Sequence, residues 1–143
     1  MRILPTFFVP LVLACADAAG PGDSSAQLKQ WQAQAPSHYQ IDQDVLCFCP
    51  PPRFVRIEVR NNAIVTMTDR ETGAVIPTSQ WKWFYTVEGL FDLIADAAKQ
   101  DPARLEVKYH PTNHYPTSIS IDYKAGMADD ELSVGASALT SLP

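Results

Sequence analysis

The sequence is poor in the features that usually announce a chemistry. Of its 143 residues only 3 are cysteine, 3 histidine and 6 glycine. No apolar run reaches the roughly 18 residues that cross a bilayer as a helix. Basic residues are outnumbered, 11 Lys and Arg against 16 Asp and Glu, for a net charge of −5. A surface that neutralises phosphates needs the opposite balance, so no nucleic-acid partner is expected. The chain has no Gly-x-Ser-x-Gly elbow, no glycine-rich phosphate loop and no His-Glu-x-x-His. Without a catalytic set or a cofactor fingerprint, the sequence points to a binder rather than an enzyme, and no cofactor is expected.

What is present is ordinary globular material, with 46% hydrophobic, 10% aromatic and 19% charged residues. That composition excludes a disordered chain, and the length suits one domain. Twelve prolines predict stiff, loop-rich connections.

The start of the chain reads as an export signal. Met1-Arg2 carries one positive charge, and the apolar stretch Ile3 to Ala14 is broken by Pro5 and Pro10, which argues against a buried helix. Val12-Leu13-Ala14-Cys15, with Leu11 just before it, resembles the lipobox of bacterial lipoproteins. That resemblance implies cleavage before Cys15 and acylation of Cys15, and two or three acyl chains hold a protein stably on a membrane. Ala16, rather than aspartate, implies sorting to the outer membrane, facing the periplasm, in a Gram-negative cell. The alternative is ordinary cleavage near Ala16 or Ala19 and a secreted, unlipidated domain. The expected organisation is therefore a signal peptide over 1–14, a lipidated cysteine and flexible tether over 15–24, and a single domain over 25–143. Loss of Arg2 with the signal takes the net charge from −5 to −6, so the anchor and not the domain surface would hold the membrane.

The periodicities predict an α+β domain. A short helix starting at Ser24 or Ser25 shows a narrow stripe of Leu28, Trp31 and Ala35 and stops at Pro36. Tyr39 to Cys49 alternates as a strand, with Asp42 and Asp44 on the outer face. Phe54 to Arg60 and Ile64 to Thr68 form a hairpin around Asn61-Asn62. The aromatic segment Pro77 to Tyr85 reads as irregular or extended. Thr86 caps a helix running to Lys99 with Val87, Leu90, Phe91, Ile94 and Ala98 inward; Glu88, Asp92 and Asp96 form an acidic stripe toward solvent. Strands follow at Leu105–Tyr109 and Ile119–Tyr123, with a weaker last one at Leu132–Ala136. Hairpins dominate, so the expected fold is a mainly antiparallel sheet of five or six strands, with two helices packed on one face. No internal repeat is legible.

Four segments together resemble the bacterial "domain of unknown function 6174" family of small secreted proteins and lipoproteins. They are Cys47-Phe48-Cys49-Pro50, Thr86-Val87-Glu88-Gly89-Leu90-Phe91-Asp92, Tyr115-Pro116-Thr117-Ser118-Ile119 with Asp122, and Ala128-Asp129-Asp130-Glu131-Leu132. The likeness covers roughly residues 30 to 140 and implies localisation and domain boundaries, but no chemistry. In the last hairpin the family tends to have Tyr-Asp and Gly-Tyr-Pro, where this chain has Tyr109-His110 and His114-Tyr115-Pro116.

Three candidate sites emerge. With Cys15 acylated, Cys47 and Cys49 are an even pair in an oxidising compartment, which favours a disulfide. In a flat strand residues i and i+2 lie roughly 6.5–7 Å apart at Cα, at the edge of the bridging range, but the prolines after Cys49 allow a tighter turn. Reduced core-facing thiols, or a redox or metal role for Cys-Phe-Cys, remain open alternatives. The metal version needs Cys47, Cys49, His110 and His114 together, a set suited to zinc or copper; two exposed loop histidines are the plainer reading, and no resident metal is expected. Trp81, Trp83, Tyr115, Asp129, Asp130 and Glu131 form a candidate interaction surface for an envelope protein or ligand. Asp122, Asp129, Asp130 and Glu131 lack the spacing of a calcium loop. The leading functional expectation is an envelope lipoprotein with a non-enzymatic binding domain; a thiol redox or metal-handling protein is the alternative.

Overall fold

Two helices and a six-stranded antiparallel sheet account for most of the chain in a computed structural model, which describes residues 23–143 apart from Ala128. The expected signal peptide, Cys15 and the tether to residue 22 lie outside the described residues. The order is α1 (Ser24–Gln34), β1 (His38–Leu46), β2 (Phe54–Arg60), β3 (Ala63–Asp69), α2 (Val87–Lys99), β4 (Arg104–Tyr109), β5 (Pro116–Asp122) and β6 (Glu131–Ser141). A 3-10 helix at Thr78–Trp83 leads into α2. The strands lie in the order β3-β2-β1-β6-β5-β4, so each helix precedes a three-stranded meander and the two meanders join through β1 and β6.

Local chemistry explains most boundaries. Asn61 and Asn62 both take positive φ (49° and 58°), which gives the β2–β3 hairpin its two-residue turn. Asp69 closes the next turn by accepting from the Glu71 and Thr72 backbone N–H groups, at 2.8 and 2.9 Å. Those two bonds, Thr72 first, hold the Asp69 carboxyl below its usual range. The Thr86 hydroxyl accepts from Gly89 N–H at 3.1 Å and caps α2. The apolar stripe of α2 buries Val87, Leu90, Phe91, Ile94 and Ala97; Ala98, expected inward, is exposed. Burial of such side chains contributes about 1.5–3 kcal/mol each and holds this helix to the sheet, where it meets β4 and β5.

Several expectations need correction. Helix α1 does start at Ser24, as expected, but its N-cap position is Asp23 rather than a serine. β1 ends at Leu46, because Pro50, Pro51 and Pro52 have no N–H to continue a ladder. Asp42 is not an outward solvent group but is 5% exposed, held by Arg56 Nε at 2.7 Å and Nη2 at 3.0 Å and by Arg70 Nε at 3.3 Å. That pairing, the Asp42 hydrogen bond first, raises the Arg56 guanidinium further above its ordinary value. The last strand is not weak: at 11 residues it is the longest and sits in the middle of the sheet. Its Ser, Gly and Ala content hides it, because a strand paired on both sides is held by backbone hydrogen bonds that leave no side-chain signature.

Candidate functional site

The sheet has two ends that differ in kind. At one, β1 begins, β6 finishes and the β4–β5 loop folds over. Trp31 of α1 is 1% exposed there, edge-on to Tyr39 and Tyr115 with ring centroids 5.8 and 6.2 Å away. Its Nε1 donates to Glu88 Oε1 at 2.9 Å. The Tyr39 hydroxyl accepts from the Val87 N–H at 3.0 Å. Burial, above all, pushes the Tyr39 hydroxyl well above its ordinary range; the Val87 bond opposes this and the Glu88 charge adds to it. Glu88 therefore does not belong to a solvent stripe: one oxygen serves Trp31, and the other, Oε2, is buried without a partner among the described residues.

The histidines belong to this end. The His110 ring stacks on Tyr115 at 5.1 Å, and its Nδ1 accepts from the Thr112 and Asn113 N–H groups at 3.3 and 3.1 Å. That places the ring proton on Nε2. His114 Nδ1 lies 2.9 Å from Gln27 Oε1, and His38 bridges Glu58 Oε1 and the Pro143 carbonyl at 2.7 and 2.8 Å. All three histidines thus serve as local hydrogen-bonding struts.

At the opposite end β1 finishes, β2 begins and the β5–β6 turn projects; the register sets Leu46 opposite Ser133, Asp44 opposite Phe54 and Asp122 opposite Glu131. A bond from Val45 N–H to the Arg53 carbonyl, at 2.8 Å, pinches the β1–β2 loop at its base. Cys47 and Cys49 lie beyond it at disulfide distance, with Cα atoms 5.2 Å apart. Phe48 between them is 86% exposed. Leu46, Val75 and Met127 are also exposed here, and among the described residues only Val65 is a large exposed apolar side chain elsewhere. A groove of about 300 Å³ runs beside the loop, lined by Phe48, Cys49, Pro50 and Arg53. Arg53 and the exposed Asp129 and Glu131 make no ion pair among the described residues. Both carboxylate oxygens of Asp130 are buried without a partner among those residues.

This geometry redraws the candidate sites. Cys47 and Cys49 stand at the opposite end of the sheet from His110 and His114, so the four-ligand metal set is not assembled. Among the described residues no three His, Cys, Asp or Glu side chains group to hold a metal ion. The aromatic part of the expected surface turns inward. Tyr115 is 3% exposed, and Trp81 and Trp83 are half-buried against the core, Trp81 donating to the Ile76 carbonyl at 2.9 Å. Apolar area outweighs the aromatic polar tips, so rings with core within reach are withdrawn. Asp129, Asp130 and Glu131 do sit together, and they share their end with Leu46, Phe48 and Met127, which the sequence reading passed over as surface. The available signal was a phenylalanine locked between two cysteines with prolines behind it, too tightly tethered to reach any core.

The class is thus a small α+β domain with no assembled metal group among its described residues and one exposed loop end. Residues 23–141 match the Family of unknown function (DUF6174), and the chain belongs to that family. No curated protein and no solved structure matches it.

Proposed function

We propose that the protein is an exported envelope lipoprotein, anchored through Cys15, whose domain docks a basic partner protein at the Cys47–Cys49 end. Both helices are taken to cover one face of the sheet, and the strand ends carry recognition. One observation supports this reading: the exposed apolar side chains Leu46, Phe48 and Met127 share an end with Asp129 and Glu131, which make no ion pair among the described residues. Scattered apolar residues are normal on a surface, whereas an apolar cluster marks a contact site, and the acids beside this one favour a basic partner. The partner would present an apolar pocket for Phe48 and lysines or arginines for the acids.

A photocrosslinking residue placed at position 48, and in a separate variant at the exposed turn residue Asn62, tests the docking in living cells. The expected result is an adduct from position 48 only, lost when Asp129→Lys and Glu131→Lys are added. Equal adducts from both positions, none from 48, or indifference to charge reversal would overturn the reading. Fractionation of Cys15→Ala tests the anchor: the variant should leave the membrane fraction, and continued membrane association would sink that part.

A further inference from the structure

We propose that Cys47–Cys49 is an exchangeable disulfide that oxidises the dithiols of exported polypeptides, with Cys49 as the sulfur attacked. This goes beyond the docking role and rests on other observations at the same end. A bridge spanning one intervening residue closes a very short loop, so it removes little entropy from the unfolded chain. The Val45–Arg53 backbone bond and the β1–β2 pairing already fix both ends of the loop. As a staple the bridge is nearly redundant, and its presence asks for another use.

The surroundings supply one. Both cysteines are half-buried against the core, but Cys49 and not Cys47 lines the groove, so a peptide sulfur held in the groove lies on the Cys49 side of the bridge. Phe48 and Pro50 give the groove apolar sides against which a peptide can lie. Arg53 completes it with an exposed guanidinium that no described carboxylate neutralises. A positive charge beside a disulfide favours the attacking thiolate, and the leaving one as well.

The exchange balances without an external oxidant. One substrate thiolate attacks Cys49 Sγ, the Cys47–Cys49 bond breaks, and Cys47 leaves as a thiolate that takes up a proton. The second substrate thiolate then attacks its own partner sulfur in the mixed disulfide, and Cys49 leaves in the same way. The substrate dithiol is oxidised to a disulfide, the protein disulfide is reduced to a dithiol, and two protons pass from one to the other. A small-molecule disulfide such as oxidised glutathione restores the starting state by the reverse exchange.

The test uses the full chain, expressed for export, purified in detergent in its cell-made form and mixed with an unstructured two-cysteine peptide containing phenylalanine. Acid quenching, thiol alkylation and mass measurement follow the sulfurs. One peptide disulfide should appear for each protein disulfide lost. Given the same peptide in its disulfide form, so that the reverse exchange supplies the oxidised sulfur and releases one peptide thiol, Cys47→Ser should trap a mixed disulfide at Cys49 faster than Cys49→Ser traps one at Cys47. Arg53→Gln, an exposed change that leaves the fold alone, should slow the exchange roughly fivefold, the weight of one nearby charge in water. A bridge that stays intact under excess peptide, equal trapping at both sulfurs, or an unchanged Arg53→Gln rate would overturn the proposal. Failure here would leave the crosslinking result standing, because docking through Phe48 needs no sulfur chemistry.

Discussion

The same strands form both ends of the sheet, yet the ends solve opposite problems. At the Trp31 end the loops fold inward: three aromatic rings stack edge-on, and each histidine holds a neighbouring segment. At the Cys47–Cys49 end the loop is held by a backbone pinch and a bridge, and its largest side chain stands in water. A loop can therefore be ordered without burying what it carries. Stability should track the first end and binding the second.

Breaking the buried end should produce the largest effect. Trp31→Ala should cost about 3–5 kcal/mol in urea unfolding, since it empties a ring-sized space and leaves Glu88 without its donor. Next comes Gln43, fully buried in β1, whose amide donates to the Tyr85 carbonyl at 2.6 Å and accepts from the Tyr85 N–H at 3.1 Å. Gln43→Ala orphans both groups and should cost about 2–3 kcal/mol by the same measurement. Below that lies Tyr39→Phe, about 1–2 kcal/mol at neutral pH from the orphaned Val87 N–H.

Tyr39 also sharpens the comparison through pH. Burial raises its folded pKa, and those of Tyr85, Tyr109, Tyr115 and Tyr123 move the same way. Above about pH 10 the unfolded chain loses tyrosine protons that the folded chain keeps. This stabilisation is fully present below that pH and falls as pH rises through the folded values. Unfolding midpoints taken from pH 8 to 11 should drop on the alkaline side, and the drop should be shallower in Tyr39→Phe.

At the exposed end, paired Cys47→Ser and Cys49→Ser should cost only about 1–2 kcal/mol, the loop-entropy value for so short a ring. Phe48→Ser should be smallest of all, within about 0.5 kcal/mol of the parent, while abolishing the position-48 contact to the partner. A large loss of stability in Phe48→Ser would erase the distinction between the two ends.

The α+β class, the Asn61-Asn62 hairpin, the Thr86 cap and the apolar stripe of α2 were legible because each depends on neighbours in sequence. β6 was undervalued because its place between β1 and β5 is a long-range fact, written in backbone pairing rather than side-chain type. Gln43 was missed because it shares the inward face of Tyr39, Ile41 and Val45, and nothing local shows that Tyr85 supplies both hydrogen-bonding groups. Trp81, Trp83 and Tyr115 could be named as aromatic but not oriented, since orientation depends on which core surface lies within reach. Repetition of a helix and three strands was also invisible, because the two halves share an order of elements and no residue pattern.

The central pairing of β1 with β6 bears on when this protein can fold. His38 and Pro143, 105 residues apart, are hydrogen-bonded, and the join between the meanders runs the length of those two strands. Two partial sheets, each with a raw inner edge, are all that the chain can make until its last strand arrives. Closing so long a loop before any contact rewards it slows folding. Until β6 is in place the chain therefore holds two partial sheets and no closed core between them.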